Sequence, residues 1–177
     1  MNIALSIEVR PRIAALVGDS NMAVLAEYWP GCINAGVSSE TTFQMEPRFI
    51  TQVIPQKPDT AFILGGTNDL MLLHSYSIAG IRSMAMTGRD AGIKMVLCLL
   101  PPIAHASYPT TIADVRQFNA NILAMADADG FRDIVDLFNP FLLNGALNPA
   151  LFTDGVHFAY KKEGREVALR QMRPYLE

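Results

Sequence analysis

Four short stretches of this chain hold residue types that together could carry out acyl transfer. Residues 18–20 read GDS, at the end of the apolar run RIAALV. Residues 34–39 read NAGVSS, 65–69 read GGTND, and 154–157 read DGVH. Acyl transfer needs a nucleophile, a base that takes its proton, a group that orients the base, and donors for the developing oxyanion. Ser20 could be the nucleophile. His157, three residues after Asp154, could be the base, because that spacing in a loop can bring a carboxylate to one imidazole nitrogen and leave the other facing a serine. Gly36 could let a backbone N–H approach a ligand closely. Asn68 could offer a neutral side-chain amide.

Each stretch also has a plain reading. A serine after a strand can cap a helix. Gly and Asn are ordinary turn residues. DGVH can be a turn with an incidental surface histidine. The other histidines carry weaker signals. His74, in LLHS, has no neighbouring acid to orient it, and His105, after Pro101 and Pro102, could line a cleft rim.

The elements that must position these groups are legible as runs. Short apolar runs occur at 12–17, 31–35, 59–64, 93–100 and 131–137, most of them without polar alternation. That is the pattern of strands covered on both faces of a parallel sheet. Between them, residues 20–28, 39–54, 77–90, 110–128 and about 160–173 read as helices. Pro47 should disturb the first turns of the second. In the fourth, Ile112, Val115, Phe118, Ile122 and Met125 recur at spacings of three and four. Strands alternating with helices imply right-handed crossovers and a three-layer α/β/α sandwich. Ligands in such folds sit beyond the carboxyl ends of the strands, which is where the polar loops fall. Residues 1–10 (MNIALSIEVR) show period-2 alternation, and an N-terminal extension forming an extra edge strand is expected there. Met71, Leu72 and Leu73 are expected to enter the core.

The bulk numbers narrow the classes. A chain of 177 residues, half of them apolar, suits a single domain over residues 1–177. The net charge of −3 comes without a basic cluster, which disfavours a nucleic-acid partner. No apolar run is long enough to span a bilayer. The opening residues lack a signal-peptide pattern, so a cytoplasmic location is expected, or a secreted or periplasmic one had a signal been removed. Cys32 and Cys98 are too few for a disulfide framework and lack zinc-site spacing, so both are expected to be buried free thiols.

Ser, Gly, Asn and Asp-x-x-His in this order, each after a different strand or before the last helix, resemble the SGNH (GDSL-type) hydrolase family. The likeness runs from about residue 12 to the C-terminal helix. It implies a flavodoxin-like, mostly parallel five-stranded sheet of order 2-1-3-4-5. Cys32 and Cys98 would then be separated by two strands, roughly 14 Å, too far for a bridge. The resemblance also implies roles. Ser20 would be the nucleophile, His157 the base and Asp154 its orienter. The N–H groups of Ser20 and Gly36 and the Asn68 amide would form the oxyanion hole. No metal and no organic cofactor are called for.

Asn21 stands where the family more often has Leu, with Met22 and Ala23 where Thr and Gly are usual. Asn21, Thr67 and Pro102 are expected to contact substrate. With no room for a lid domain, the expected substrate is a small-molecule ester of a short acyl group, such as an acetyl ester. A lysophospholipase or thioesterase, an acetyltransferase and a non-catalytic binding module are the alternatives. The chain could also form a homo-oligomer.

Overall fold

In the computed structural model, which describes residues 12–176, five parallel strands form one sheet of order β2-β1-β3-β4-β5. They are β1 (Ala14–Gly18), β2 (Ile33–Gly36), β3 (Thr60–Leu64), β4 (Lys94–Cys98) and β5 (Ile134–Val135). The edge strand expected over 1–10 lies outside the described residues.

The central strands β1 and β3 are buried along their whole length, as unbroken apolar runs require. The edge strand β5 is shorter than its apolar run. Asp136 ends it, because its carboxylate accepts from the N–H groups of Phe138 and Asn139 (2.8 and 3.0 Å) and so starts a turn.

The helices are α1 (Ser20–Glu27), α2 (Thr42–Arg48), α3 (Thr67–Leu73), α4 (Ala79–Asp90), α5 (Ile112–Asp129) and α6 (Lys162–Met172). Helix α5 is specified by its own sequence. Thr111 and Asp114 form a reciprocal capping box, Gly130 ends the helix with φ of +78°, and Val115, Phe118, Ile122 and Met125 are buried. Pro47 lies inside α2 without breaking it. The chain widens afterwards into a π-helical turn at Phe49–Val53 and a 3-10 turn at Ile54–Gln56. That widening follows a residue with no N–H to give the helical ladder.

Two expectations need correction, and one element goes beyond them. Helix α3 starts within the polar GGTND stretch, and of the three residues expected in the core only Met71 is buried, while Leu72 and Leu73 are exposed on its outer face. Cys32 precedes β2 and is only half-buried, whereas Cys98 is fully buried; both are free. Lastly, β6 (Leu142–Leu143) and β7 (Ala146–Leu147) form a small antiparallel hairpin. Its turn, Asn144-Gly145, has positive φ at both residues (53° and 81°), as the tight primed turns demand.

Candidate active site

Ser20 is the first residue of α1, two residues beyond the end of β1. It does not cap that helix. Asp19 does, accepting the Asn21 N–H on Oδ1 at 2.9 Å. The Ser20 hydroxyl is thereby left for another partner, and it meets His157 Nε2 at 3.0 Å.

His157 is held by its own loop. Asp154 Oδ2 lies 2.7 Å from His157 Nδ1, while Asp154 Oδ1 accepts from the N–H groups of Val156 (3.0 Å) and His157 (2.9 Å). The Thr153 N–H and hydroxyl both donate to the His157 carbonyl (3.0 and 2.7 Å). Gly155, with φ of +84°, presses against the loop after β4. Its carbonyl accepts from Ala104 N–H at 2.9 Å, and a Cβ at this position would fall 1.9 Å from the Ala104 oxygen. Burial pushes the Asp154 carboxyl up, but the His157 imidazole and the two N–H groups outweigh it and hold the acid below its ordinary range. Asp154 is therefore a carboxylate at neutral pH and fixes the imidazole with Nδ1 protonated. Nε2 is left as an acceptor for the serine proton.

The Asn68 amide borders the same cavity, and its Nδ2 donates to the Glu40 carbonyl at 2.9 Å. One amide hydrogen is fixed in this way, and the second is available. Glu40 is itself clamped. Its carboxylate pairs with the largely buried Arg48 guanidinium, whose Nη1 also donates to the Ala35 carbonyl at 2.6 Å. The first turn of α3 is tied to α2 by buried Asp69, which accepts from Thr42 N–H (3.0 Å) and Thr42 Oγ1 (2.7 Å).

Gly36 stands outside the cavity. Its N–H is taken by the Asn34 side chain at 3.0 Å. A side chain there would strike α1, with a Cβ 2.1 Å from Ala23 N, so close packing of β2 against α1 explains the glycine. Ser38 and Ser39 reach the cavity instead, and Ser39 adopts a left-handed φ of +64°. The doubled serine in NAGVSS was the available signal.

The cavity encloses about 220 Å³ and is rimmed by His105, Tyr108 and Tyr160, with Met71 and Val156 as its apolar members. The Tyr160 ring stands edge-on to the His157 ring, 5.2 Å between centroids. Thr67 lines the cavity as expected and keeps a buried hydroxyl without a hydrogen-bond partner. Pro102 is buried outside it, because the chain reaches the rim only at His105. Asn21 is also absent from the lining; it is 1% exposed and bonds to the histidine loop. A larger hollow of about 430 Å³ along α6 is lined by Glu166, Leu169, Arg170, Arg173 and Pro174, none of them a nucleophile beside a base. Among the described residues no cluster of His, Cys, Asp and Glu could hold a metal ion, and no helix is long and apolar enough to cross a membrane.

Asp19 adds a pH dependence. Burial pushes its carboxyl up, against the Asn21 N–H, the nearby Thr67 hydroxyl and the His157 imidazole, and its Oδ2 has no hydrogen-bond partner. A carboxyl raised in the fold favours folding below its ordinary range, and that share is lost as pH rises through the raised value. Asp19→Asn keeps an oxygen to cap α1 but cannot ionise. Urea unfolding should therefore show the variant gaining on the wild type as pH moves from mildly acidic to mildly alkaline. A gap that does not change with pH would contradict this.

Residues 11–161 match the GDSL-like Lipase/Acylhydrolase family. No curated protein sequence matches the chain. Among solved structures, a GDSL-like lipase from Bacteroides thetaiotaomicron VPI-5482 is 26% identical with a TM-score of 0.83, covering 98% of this chain and 91% of that one. A lipase/acylhydrolase from Enterococcus faecalis is 22% identical with a TM-score of 0.70, covering 94% and 97%. An acetyl xylan esterase from Geobacillus stearothermophilus is 18% identical with a TM-score of 0.72, covering 93% and 94%. The latter two bear on the fold alone.

Proposed function

Because the chain belongs to the GDSL-like Lipase/Acylhydrolase family, we propose that it is a serine esterase cleaving short acyl esters, chiefly acetyl esters of small polyhydroxy alcohols. The observation that carries this reading is the unbroken line from Asp154 Oδ2 through His157 to Ser20 Oγ, at 2.7 and 3.0 Å. A serine hydroxyl becomes a useful nucleophile when a base accepts its proton as it attacks.

In the first step Ser20 Oγ bonds to the acyl carbon and its proton passes to His157 Nε2. The carbonyl π electrons move to oxygen, giving a tetrahedral oxyanion. The Asp154 carboxylate stabilises the imidazolium. The C–O bond to the alcohol then breaks, and His157 returns the proton to the departing oxygen. Water, deprotonated by the same imidazole, attacks the acyl-enzyme and releases the carboxylic acid and Ser20. The oxyanion is received by the Ser20 N–H, which has no intrahelical acceptor at the start of α1, by the Asn68 amide, and by the Ser39 N–H, since that of Gly36 is bonded to Asn34.

Substrate size follows from the cavity. Its volume of about 220 Å³ is below the usual range for drug-sized ligands, and Ser38, Ser39, Thr67 and Asn68 make much of its wall polar. A short acyl group and a hydroxylated alcohol fit that wall better than a fatty chain. The acetyl xylan esterase of like fold is in keeping with this.

The test is a panel of p-nitrophenyl esters from acetate to octanoate together with acetylated sugars. Acetate release should be fastest, and an organophosphonate should label Ser20. Rates rising toward octanoate would overturn the short-acyl assignment. No turnover and no labelling would mark a binding module. For Asn68→Ala, loss of one oxyanion donor should lower kcat by about 10²–10³, or about 2.7–4 kcal/mol, with folding retained. An unchanged kcat would make Asn68 a turn residue.

A further inference from the structure

Asn21 follows Ser20 in sequence, yet its side chain bonds to the loop of His157. It is buried with 1% exposure, and its carboxamide reaches across to the loop of His157. Asn21 Nδ2 donates to the Val156 carbonyl at 3.3 Å, and Asn21 Oδ1 accepts the Ala159 N–H at 3.2 Å. These two backbone groups lie immediately before His157 and two residues after it. One side chain thus grips the chain on both sides of the base. Only a carboxamide presents a donor and an acceptor in a single planar group of this reach. A leucine at this position could make neither bond.

The other ties of this loop are local or lead elsewhere. Asp154 and Thr153 order the turn from within, and Gly155 fastens it to Ala104. Besides the His157–Ser20 bond itself, the Asn21 amide links the loop to α1. The link starts one residue from Ser20, so nucleophile and base rest on the same helical turn. From this geometry we propose that Asn21 is a positioning residue that sets the separation of His157 Nε2 from Ser20 Oγ. This rests on the serine-esterase reading of the site.

The proposal separates two things that a loosened loop would confound. The Asp154–His157 bond is made within the loop and should survive removal of the Asn21 amide. The His157–Ser20 bond should not. A displacement of about 1 Å between reacting groups can lower a rate about 100-fold.

The experiment compares wild type, Asn21→Leu and Asn21→Ser by circular dichroism, by kcat and KM on p-nitrophenyl acetate, and by proton NMR of the downfield Nδ1–H of a carboxylate-bonded imidazole. Asn21→Ser is the smaller change, and it leaves space for water to reach the two freed backbone groups. In a folded variant kcat should fall about 100-fold with KM within about twofold, the signature of an interaction felt in the transition state. The downfield resonance should persist. A folded variant with wild-type kcat overturns the proposal. So does loss of the resonance together with activity, or failure of both variants to fold, since Asn21 would then hold the fold rather than the base. Absence of wild-type turnover would instead sink the esterase reading.

Discussion

Ser20→Ala is expected to lower kcat by about 10⁶-fold, the scale seen when a serine nucleophile is removed from a triad. The change deletes one oxygen, the one that His157 Nε2 meets at 3.0 Å. Folding should hardly notice. Asp19, not Ser20, caps α1, and alanine is the best helix former. The residual rate would come from the donors around the oxyanion and from water activated by His157, which remains paired with Asp154. The measurement is kcat on p-nitrophenyl acetate with an active-site titration to count competent wild-type sites. Turnover within tenfold of wild type, in enzyme that no phosphonate labels, would place the nucleophile elsewhere.

The second large effect concerns Asp154→Asn, for which kcat should fall about 10⁴-fold at neutral pH. Asp154 has two tasks, split between its oxygens. Oδ1 orders the turn through the Val156 and His157 N–H groups, and Oδ2 accepts from His157 Nδ1. Asparagine can keep one oxygen on the two N–H groups. Its NH₂ must then face Nδ1, which has to become an acceptor. The imidazole proton moves to Nε2 and points at Ser20, where a proton acceptor is needed. The loop is preserved and the tautomer is wrong. Crystals of the variant should show an unmoved His157 beside a nearly inactive enzyme. A rate within tenfold of wild type would mean that the carboxylate charge has little part in the reaction.

The sequence revealed those features whose cause is local. β1 and β3 are unbroken apolar runs because both faces are covered. Helix α5 declares itself through its apolar spacing and the Thr111–Asp114 box. Asp154 and His157 were visible because their bond spans one turn. What the sequence hid depends on distant chain. The carboxamide of Asn21 finds partners 135 and 138 positions away, so a residue expected to touch substrate instead holds a loop. Gly36 drew attention because a glycine suggests close approach. The approach is to α1, and the left-handed residue at the cavity is a serine, Ser39. Leu72 and Leu73 read as core because nothing local marks which face of α3 the sheet covers. The β6–β7 hairpin did carry a signal, Asn144-Gly145 between apolar residues. Reading for long apolar runs passes over strands of two residues.

That hairpin turn has a bearing on how the chemistry is divided along the polypeptide. Residues 143–146 are exposed, and they fall between Ser20 and His157, which are 137 positions apart. Ser20, Ser39 and Asn68 are on one side of the turn, Asp154 and His157 on the other. A chain divided at Asn144 would give one piece with the proposed nucleophile and another with the proposed base. Neither half could turn over an ester by this route, so hydrolysis by a mixture would register their reunion.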